Sequence, residues 1–450
     1  MSLAQLRTIF APAPARPRLP AAEIARRYPR LRWAILESTF LGYATFYLVR
    51  NNLSTVSKEL EGATGYDHSM VGSILAVTAV TYGLGKLLMG AVSDGSNSRT
   101  FMAAGLGLTA LCNFAFGSVA SYGVHLALWA LNGFFQGMGW PPCGRSIGHW
   151  FSVRERGTVF AFWNTAHNVG GGVAGVVAAS AASHFGWRYA FYVPGVLALL
   201  AAAYVLARLR DTPQSQGLPP IEEYKPAGTI AGSSDARREV ELGWRELFVE
   251  HIFKNRLLWV FALANFFVYV VRYSMLDWGP VYLREIKGAS LQGGGIGVLA
   301  VEFGGIPSTL LMGWLSDRLG GRRGMVSLCC MIPIVLAFAG IVANPPGQLW
   351  LDMTLLAVVG FFVYPPVMLL GVAALDLTSK KAVGTAAGFV GLFGYLGRTA
   401  QAKGFGWMAD HYGKLYGPQQ GWNLVLYAIL ASALVAIACL GLTWRVRPRA

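Results

Sequence analysis

The chain has 450 residues, of which 54% are hydrophobic and only 13% charged, against about 25% charged in soluble domains. With 55 glycines, 25 phenylalanines and 14 tryptophans, this composition excludes an ordinary soluble enzyme and indicates an all-α membrane protein of many spans. The net charge of +15 is no nucleic-acid signal, because the basic residues gather in the N-terminal arm, the central loop and the tail, the positive-inside pattern of cytoplasmic segments.

Residues 1–32 are rich in Pro, Ala and Arg. They lack the charged start, apolar core and small-residue cleavage site of a signal peptide, so the first apolar segment is expected to stay in the membrane as an anchor. Apolar runs of roughly 20 residues follow near 33–56, 70–92, 101–119, 124–144, 158–182 and 187–207, an N-terminal six-helix bundle over 33–207. Residues 208–256, with Asp211-Thr212-Pro213, Gly217-Leu218-Pro219-Pro220 and Ser233-Ser234, read as a cytoplasmic linker. Further runs near 257–283, 292–315, 325–343, 349–374, 384–409 and 421–444 form a second six-helix bundle over 257–444, leaving 445–450 as a tail. Twelve spans put both termini on one side, and the arginine-rich ends make that side the cytoplasm, most simply of a bacterial inner membrane. Cys112, Cys143, Cys329, Cys330 and Cys439 show neither disulfide nor metal spacing and read as small packing residues.

The two halves repeat. Tyr47-Leu48-Val49-Arg50 in the first run matches Tyr269-Val270-Val271-Arg272 in the seventh, and their arginines lie 222 positions apart. Gly90-Ala91-Val92-Ser93-Asp94 closes the second run, and Gly313-Trp314-Leu315-Ser316-Asp317 closes the eighth. Gly133-Phe134-Phe135 with Pro141-Pro142 is echoed by Gly360-Phe361-Phe362 with Pro365-Pro366. A parallel duplication of a six-helix unit is the architecture of the major facilitator superfamily. The Gly-x-x-x-Asp loops, with Asp94, Asp317 and Arg318, read as braces of a two-state gate rather than as substrate contacts.

An arginine inside a membrane helix costs about 2.5–3.5 kcal/mol on insertion scales and usually faces a polar cavity or partner. Two at matching places suggest paired guanidinium groups around one anion. Tyr43, Tyr47 and Arg50 share a helix face, as do Tyr82 and Lys86. His167, Tyr269, Tyr364 and Tyr395 add further polar groups within apolar runs, and Glu302 is the acidic one, read as a salt-bridge or gating partner. Arginine suits phosphate, since its planar fork donates two parallel hydrogen bonds and stays charged at working pH. Duller readings stand beside these: Arg50 reaching the membrane surface, Lys86 pairing with a carboxylate, His167 joining two helices, the tyrosines merely packing. No nucleophile–base pair or metal-ligand cluster is legible, so neither enzyme nor cofactor is expected.

Longer strings carry a closer likeness. They include Gln136-Gly137-Met138-Gly139-Trp140-Pro141-Pro142-Cys143-Gly144-Arg145, Ala166-His167-Asn168-Val169-Gly170-Gly171-Gly172, and Arg210-Asp211-Thr212-Pro213-Gln214-Ser215. On these the chain resembles the organophosphate:phosphate antiporter family over nearly its whole length. The resemblance implies exchange of an external organophosphate for internal inorganic phosphate by alternating access. It also implies phosphate binding by Arg50 and Arg272, with Lys86, His167, Tyr43, Tyr47, Tyr82, Tyr269, Tyr364 and Tyr395 around them and Glu302 interacting with the pocket. The string Ala387-Gly388-Phe389-Val390 lacks the Asp and Lys of hexose-phosphate members, which favours glycerol-3-phosphate. Arg398 and Lys403 add positive charge, either toward the pocket for a bulkier or more anionic ligand or toward a cytoplasmic surface. Hexose phosphate, phosphoglycerate or a phosphonate are the other expected solutes, a membrane sensor of organophosphates the other expected role. Small anions and membrane lipid are the expected partners of a monomer.

Overall fold

A computed structural model of the protein describes residues 10–225, 253–377 and 383–447. The regular structure of these residues is helical, with no strand among them. The helices are α1 (Ala21–Thr55), α2 (Ser57–Thr64), α3 (His68–Asp94), α4 (Ser98–Ser118), α5 (Tyr122–Gln136), α6 (Trp140–Trp150), α7 (Val153–Asn164), α8 (Ala166–Phe185) and α9 (Tyr189–Arg208). After the linker come α10 (Arg256–Asp277), α11 (Gly279–Glu285), α12 (Leu291–Arg318), α13 (Arg323–Ala343), α14 (Leu349–Asp376), α15 (Val383–Tyr416) and α16 (Pro418–Gly441). Eight of them are long and apolar enough to cross a membrane by length and composition.

Three of the apolar runs are broken within the spans expected for them. The fourth divides at Gly137-Met138-Gly139, where α6 restarts with Pro141 and Pro142 in its first turn, the position at which proline's missing N–H costs nothing. The fifth divides at Thr165 and the seventh at Trp278. Elsewhere Pro194, Pro307, Pro333, Pro365 and Pro366 sit inside helices, as membrane helices tolerate when neighbouring groups satisfy the freed carbonyls.

The described residues form two compact units. One draws on Met1–Asn52, Thr81–Val177 and Arg188–Arg238, the other on Leu53–Val80, Ala178–Trp187 and Glu239–Ala450. In the first, α4 packs on α9 and on α5, and the core runs from Tyr28, Ile35 and Phe46 through Met102 and Leu106 to Trp150 and Trp163. In the second, α12 packs on α14, α10 on α15, and α13 on α14 and α16.

Two glycines at related places show how closely these helices meet. A methyl group on Gly170 of α8 would lie 2.2 Å from the Ala44 carbonyl oxygen of α1. One on Gly397 of α15 would lie 2.2 Å from the Phe266 carbonyl oxygen of α10. The repeat read in the sequence therefore extends to helix packing.

The beginning of the linker is not free chain. Asp211 accepts the backbone N–H groups of Ala13 (3.0 Å) and Ser98 (3.2 Å) and lies 3.4 Å from Arg145 Nη1. Gly217 accepts the Leu19 N–H at 2.9 Å, and the Tyr28 and Tyr224 rings stack 4.0 Å apart. Residues 209–225, the start of the stretch read as a linker, thus dock on the first unit together with the N-terminal arm. The stretch 226–252 lies outside the described residues.

Glu155 joins the same surface, pairing with Arg32 and, at 3.1 Å, with Lys225, while its Oε1 accepts the Ser152 N–H at 3.2 Å. Partial burial pushes its pKa up, but these hydrogen bonds outweigh that and hold the carboxyl at about 2, below its ordinary 4.5. A depressed carboxyl contributes stability above its unfolded value and loses it as pH falls through the folded one. The thermal midpoint of the purified protein should therefore drop as pH falls from about 4.5 toward 2, and Glu155→Gln should flatten that part of the profile.

Candidate functional site

Each unit carries one buried arginine lying over two tyrosine rings. In the first, the Arg50 guanidinium carbon is 3.8 Å from the Tyr47 ring centre and 4.9 Å from that of Tyr82. Tyr43 meets Tyr47 edge-on at 5.5 Å and stacks on Trp163 at 4.8 Å; the His167 ring lies 6.1 Å from Tyr47. The expected face of Tyr43, Tyr47 and Arg50 therefore exists, with Tyr82 and His167 beside it. His167 Nδ1–H donates to the Asn164 carbonyl, which fixes Nδ1 as the protonated nitrogen of the neutral ring.

The backbone beneath Arg50 is held by amides that the sequence reading did not single out. The Val49 carbonyl accepts from Asn113 (3.0 Å) and Asn132 (2.9 Å), the Phe46 carbonyl from Gln136 (3.0 Å), and Asn52 donates to Asn113 (2.8 Å). All four are buried. Within a membrane helix an amide inside an apolar run is costly unless it is hydrogen-bonded; that is the signal by which they were findable.

Lys86 stands one turn further along α3 and lies over Trp140, 5.5 Å from the ring centre. It lines a cavity of about 790 Å³ with Trp140, Arg145, His149, Phe160 and Glu222. The structure thus assigns Tyr82 and Lys86 to different surroundings, Tyr82 to Arg50 and Lys86 to this cavity.

In the second unit Arg272 is 6% exposed, with its guanidinium carbon 4.4 Å from the Tyr364 ring centre and 5.0 Å from that of Tyr273. The Tyr364 hydroxyl donates to Glu302, which is fully buried. Glu302 thus contacts the same phenol that lies beside Arg272. Tyr269 lies 5.9 Å from Tyr395 and 5.5 Å from Tyr273, and Asn265 donates to the Val390 carbonyl at 2.8 Å, tying α10 to α15.

Arg398 and Lys403 lie in different surroundings. Arg398 is buried against Asp277, whereas Lys403 is exposed and donates to the Ser69 carbonyl (2.9 Å) and hydroxyl (2.6 Å). At the loop after α12 it is Arg323, with Ser316, Asp317 and Asp376, that makes the polar contacts, while Arg318 lies over Trp314 at 4.1 Å. The side chain of Asp94 lies outside the described residues. Cys112, Cys143 and Cys330 are buried as expected of packing residues, but Cys329 is exposed.

A separate polar cluster in the second unit contains the one group of described residues that approaches metal-ligand spacing, Glu61, His68 and Glu285. The His68 ring meets Glu61 at Nδ1 (2.7 Å) and Glu285 at Nε2 (3.3 Å), and Trp422 also donates to Glu285 (2.9 Å). Carboxylates at both edges of one ring make an imidazolium bridge, and they leave neither nitrogen for an ion. Together with the Arg284–Glu59 pair, this bridge ties α2 and the start of α3 to α11 and α16.

Comparison with known proteins identifies the architecture. The Major Facilitator Superfamily family model matches residues 39–402. The glycerol-3-phosphate transporter of Bacillus subtilis (strain 168) is 40% identical, over 98% of this chain and 99% of its own. The membrane sensor protein UhpC of Escherichia coli (strain K12) is 38% identical over 83% of this chain and 85% of its own. Among solved structures, a bacterial homolog of the human lysosomal transporter Spinster, inward-facing and unoccupied, superposes with a TM-score of 0.74 at 16% identity, covering 92% of this chain and 97% of that one. The chain belongs to the Major Facilitator Superfamily and, within it, to the organophosphate:phosphate antiporter family. It is a multi-pass membrane protein of the transporter class, not an enzyme.

Proposed function

We propose that the protein exchanges an organophosphate, glycerol-3-phosphate first among them, for inorganic phosphate by alternating access, with Arg50 and Arg272 both binding the phosphoryl group. The observation that carries this reading is the matched pair of buried arginines, each over two tyrosine rings, at equivalent places in the repeat. The similarity to a protein named glycerol-3-phosphate transporter over nearly both whole chains supports the substrate class. A desolvated guanidinium is costly, and a bound phosphate oxyanion offsets that cost by charge-assisted, bidentate hydrogen bonds. Without an anion, two like charges oppose the occluded state. A ligand drives such a transition only through its higher affinity for one state, so exchange runs faster than net uniport. His167, its Nδ1 proton committed to a backbone carbonyl, presents Nε2 for a protonated phosphate oxygen or, once charged, for the dianion. Both termini face the cytoplasm of the bacterial inner membrane in this reading, and hexose phosphates, phosphoglycerate and phosphonates are the competing solutes.

The similarity to a named membrane sensor favours a second reading, binding without flux. Counterflow of labelled phosphate in proteoliposomes separates the two. Trans-stimulated accumulation supports exchange, whereas saturable binding with no flux would make the protein a sensor.

A further inference from the structure

Asn132 and Gln136, one turn apart on α5, are buried at 0% and 2% exposure. Asn132 Nδ2 donates to the Val49 carbonyl at 2.9 Å, and Gln136 Nε2 donates to the Phe46 carbonyl at 3.0 Å. Neither amide oxygen has a hydrogen-bond partner among the described residues. A buried acceptor left unmatched costs stability, whereas an apolar side chain of the same shape carries no such cost. Nor does the Val49 carbonyl depend on Asn132, since Asn113 of α4 also donates to it at 3.0 Å. Stability alone therefore does not account for these two amides.

The carbonyls they hold single out Arg50. The Val49 C=O and the Arg50 N–H are the two ends of one planar peptide unit. In an α-helix the Arg50 N–H donates to the Phe46 carbonyl, and α1 is helical from Ala21 to Thr55. So α5 grips both the peptide group that carries Arg50 and the acceptor to which that group is bonded. In the second repeat, Val268 and Val271 stand at the places of Phe46 and Val49. Among the described residues no side-chain amide donates to either carbonyl: Asn265 of α10 donates to Val390, and the Ser274 hydroxyl turns back to Val270 of its own helix. The duplicated helix packing thus does not require the grip, which serves the arginine of the first unit.

We propose that Asn132 and Gln136 are positioning residues for Arg50, which hold its peptide plane so that the guanidinium over Tyr47 and Tyr82 stands oriented for a phosphoryl group before one arrives. A guanidinium donates two parallel hydrogen bonds only along fixed directions. At the end of so long a side chain a small tilt of the backbone is magnified, and a misplacement of about 1 Å costs up to about a hundredfold where geometry is strict. This inference rests on Arg50 being a phosphate arginine.

The test uses the purified full-length chain and takes two readings for each variant. One is the dissociation constant of inorganic phosphate, measured well below the unfolding temperature, and the other is the thermal midpoint without ligand. Asn132→Leu and Gln136→Met should each weaken phosphate binding by about tenfold or more, while the midpoint stays at the wild-type value or rises because an unmatched acceptor has gone. Residues that only brace α5 against α1 give the reverse, a lower midpoint with phosphate affinity unchanged. That result, or a fall in both readings, overturns the proposal. Where one variant fails to fold, the other decides by the same two readings. A wild-type chain that does not bind phosphate, or an Arg50→Lys variant that binds it as tightly, overturns the phosphate reading of Arg50 and this inference with it. Binding that is lost in Arg50→Lys but unmoved in Asn132→Leu and Gln136→Met overturns only the inference.

Discussion

Arg50→Lys and Arg272→Lys should each abolish phosphate exchange in proteoliposomes while the protein still inserts. Lysine keeps the charge, but it replaces a planar fork by a single ammonium point, so the second parallel hydrogen bond to the phosphoryl group is lost. A hydrogen bond to a charged group is worth about 1.5–3 kcal/mol, which corresponds to roughly ten- to a hundred-fold in binding. The effect on exchange is larger, because the bond must form in every transition between states and so enters both half-cycles. The tyrosine surroundings add to it. Arg50 lies over the Tyr47 ring at 3.8 Å and Arg272 over the Tyr364 ring at 4.4 Å, and an ammonium does not stack on a ring as a guanidinium does. Phosphate exchange at the wild-type rate in either variant, with equal protein in the membrane, would remove the arginines from the site.

The second large effect concerns packing. Gly170→Ala and Gly397→Ala should each lower the thermal midpoint and the yield of monodisperse protein in detergent. In both cases the new methyl group meets a backbone carbonyl, not a side chain able to swing away, so a whole helix must shift. Overpacking of this kind costs about 1–3 kcal/mol. Gly388 on α15 provides the contrast, since nothing lies within 4 Å of its would-be methyl group. There alanine's better helix propensity, worth up to about 1 kcal/mol, should leave stability equal or improved. Equal destabilisation by Gly388→Ala and Gly397→Ala would mean that the close approach of α15 to α10 is not what the glycine serves.

Much of this fold is written locally. Span lengths, the internal repeat and the basic loops follow from composition and order alone, and Arg50 and Arg272 stood out because a charge inside an apolar run has few cheap explanations. What was not legible depends on long-range geometry. Hydropathy does not register that a span divides at Thr165 or Trp278, since both pieces are apolar. Tyr82 and Lys86 share a helix face, yet four residues advance about 6 Å along the axis, enough to leave one beside Arg50 and the other beside Trp140. Asp211 looks like linker composition until the backbone N–H groups of Ala13 and Ser98 are found on it. Asn113 and Asn132 act on the Val49 carbonyl from other helices, and no spacing within one helix reveals such a partner. Arg398 was visible as an anomaly, but only the packing of α15 on α10 brings it to Asp277.

The most direct test is titration of inorganic phosphate onto the purified full-length protein, wild type and single arginine variants, by isothermal calorimetry. One phosphate per chain is expected for the wild type, with saturable binding lost in Arg50→Lys and in Arg272→Lys alike. Two phosphates per chain, or single variants that each keep tight binding, would contradict a phosphate bound by both arginines.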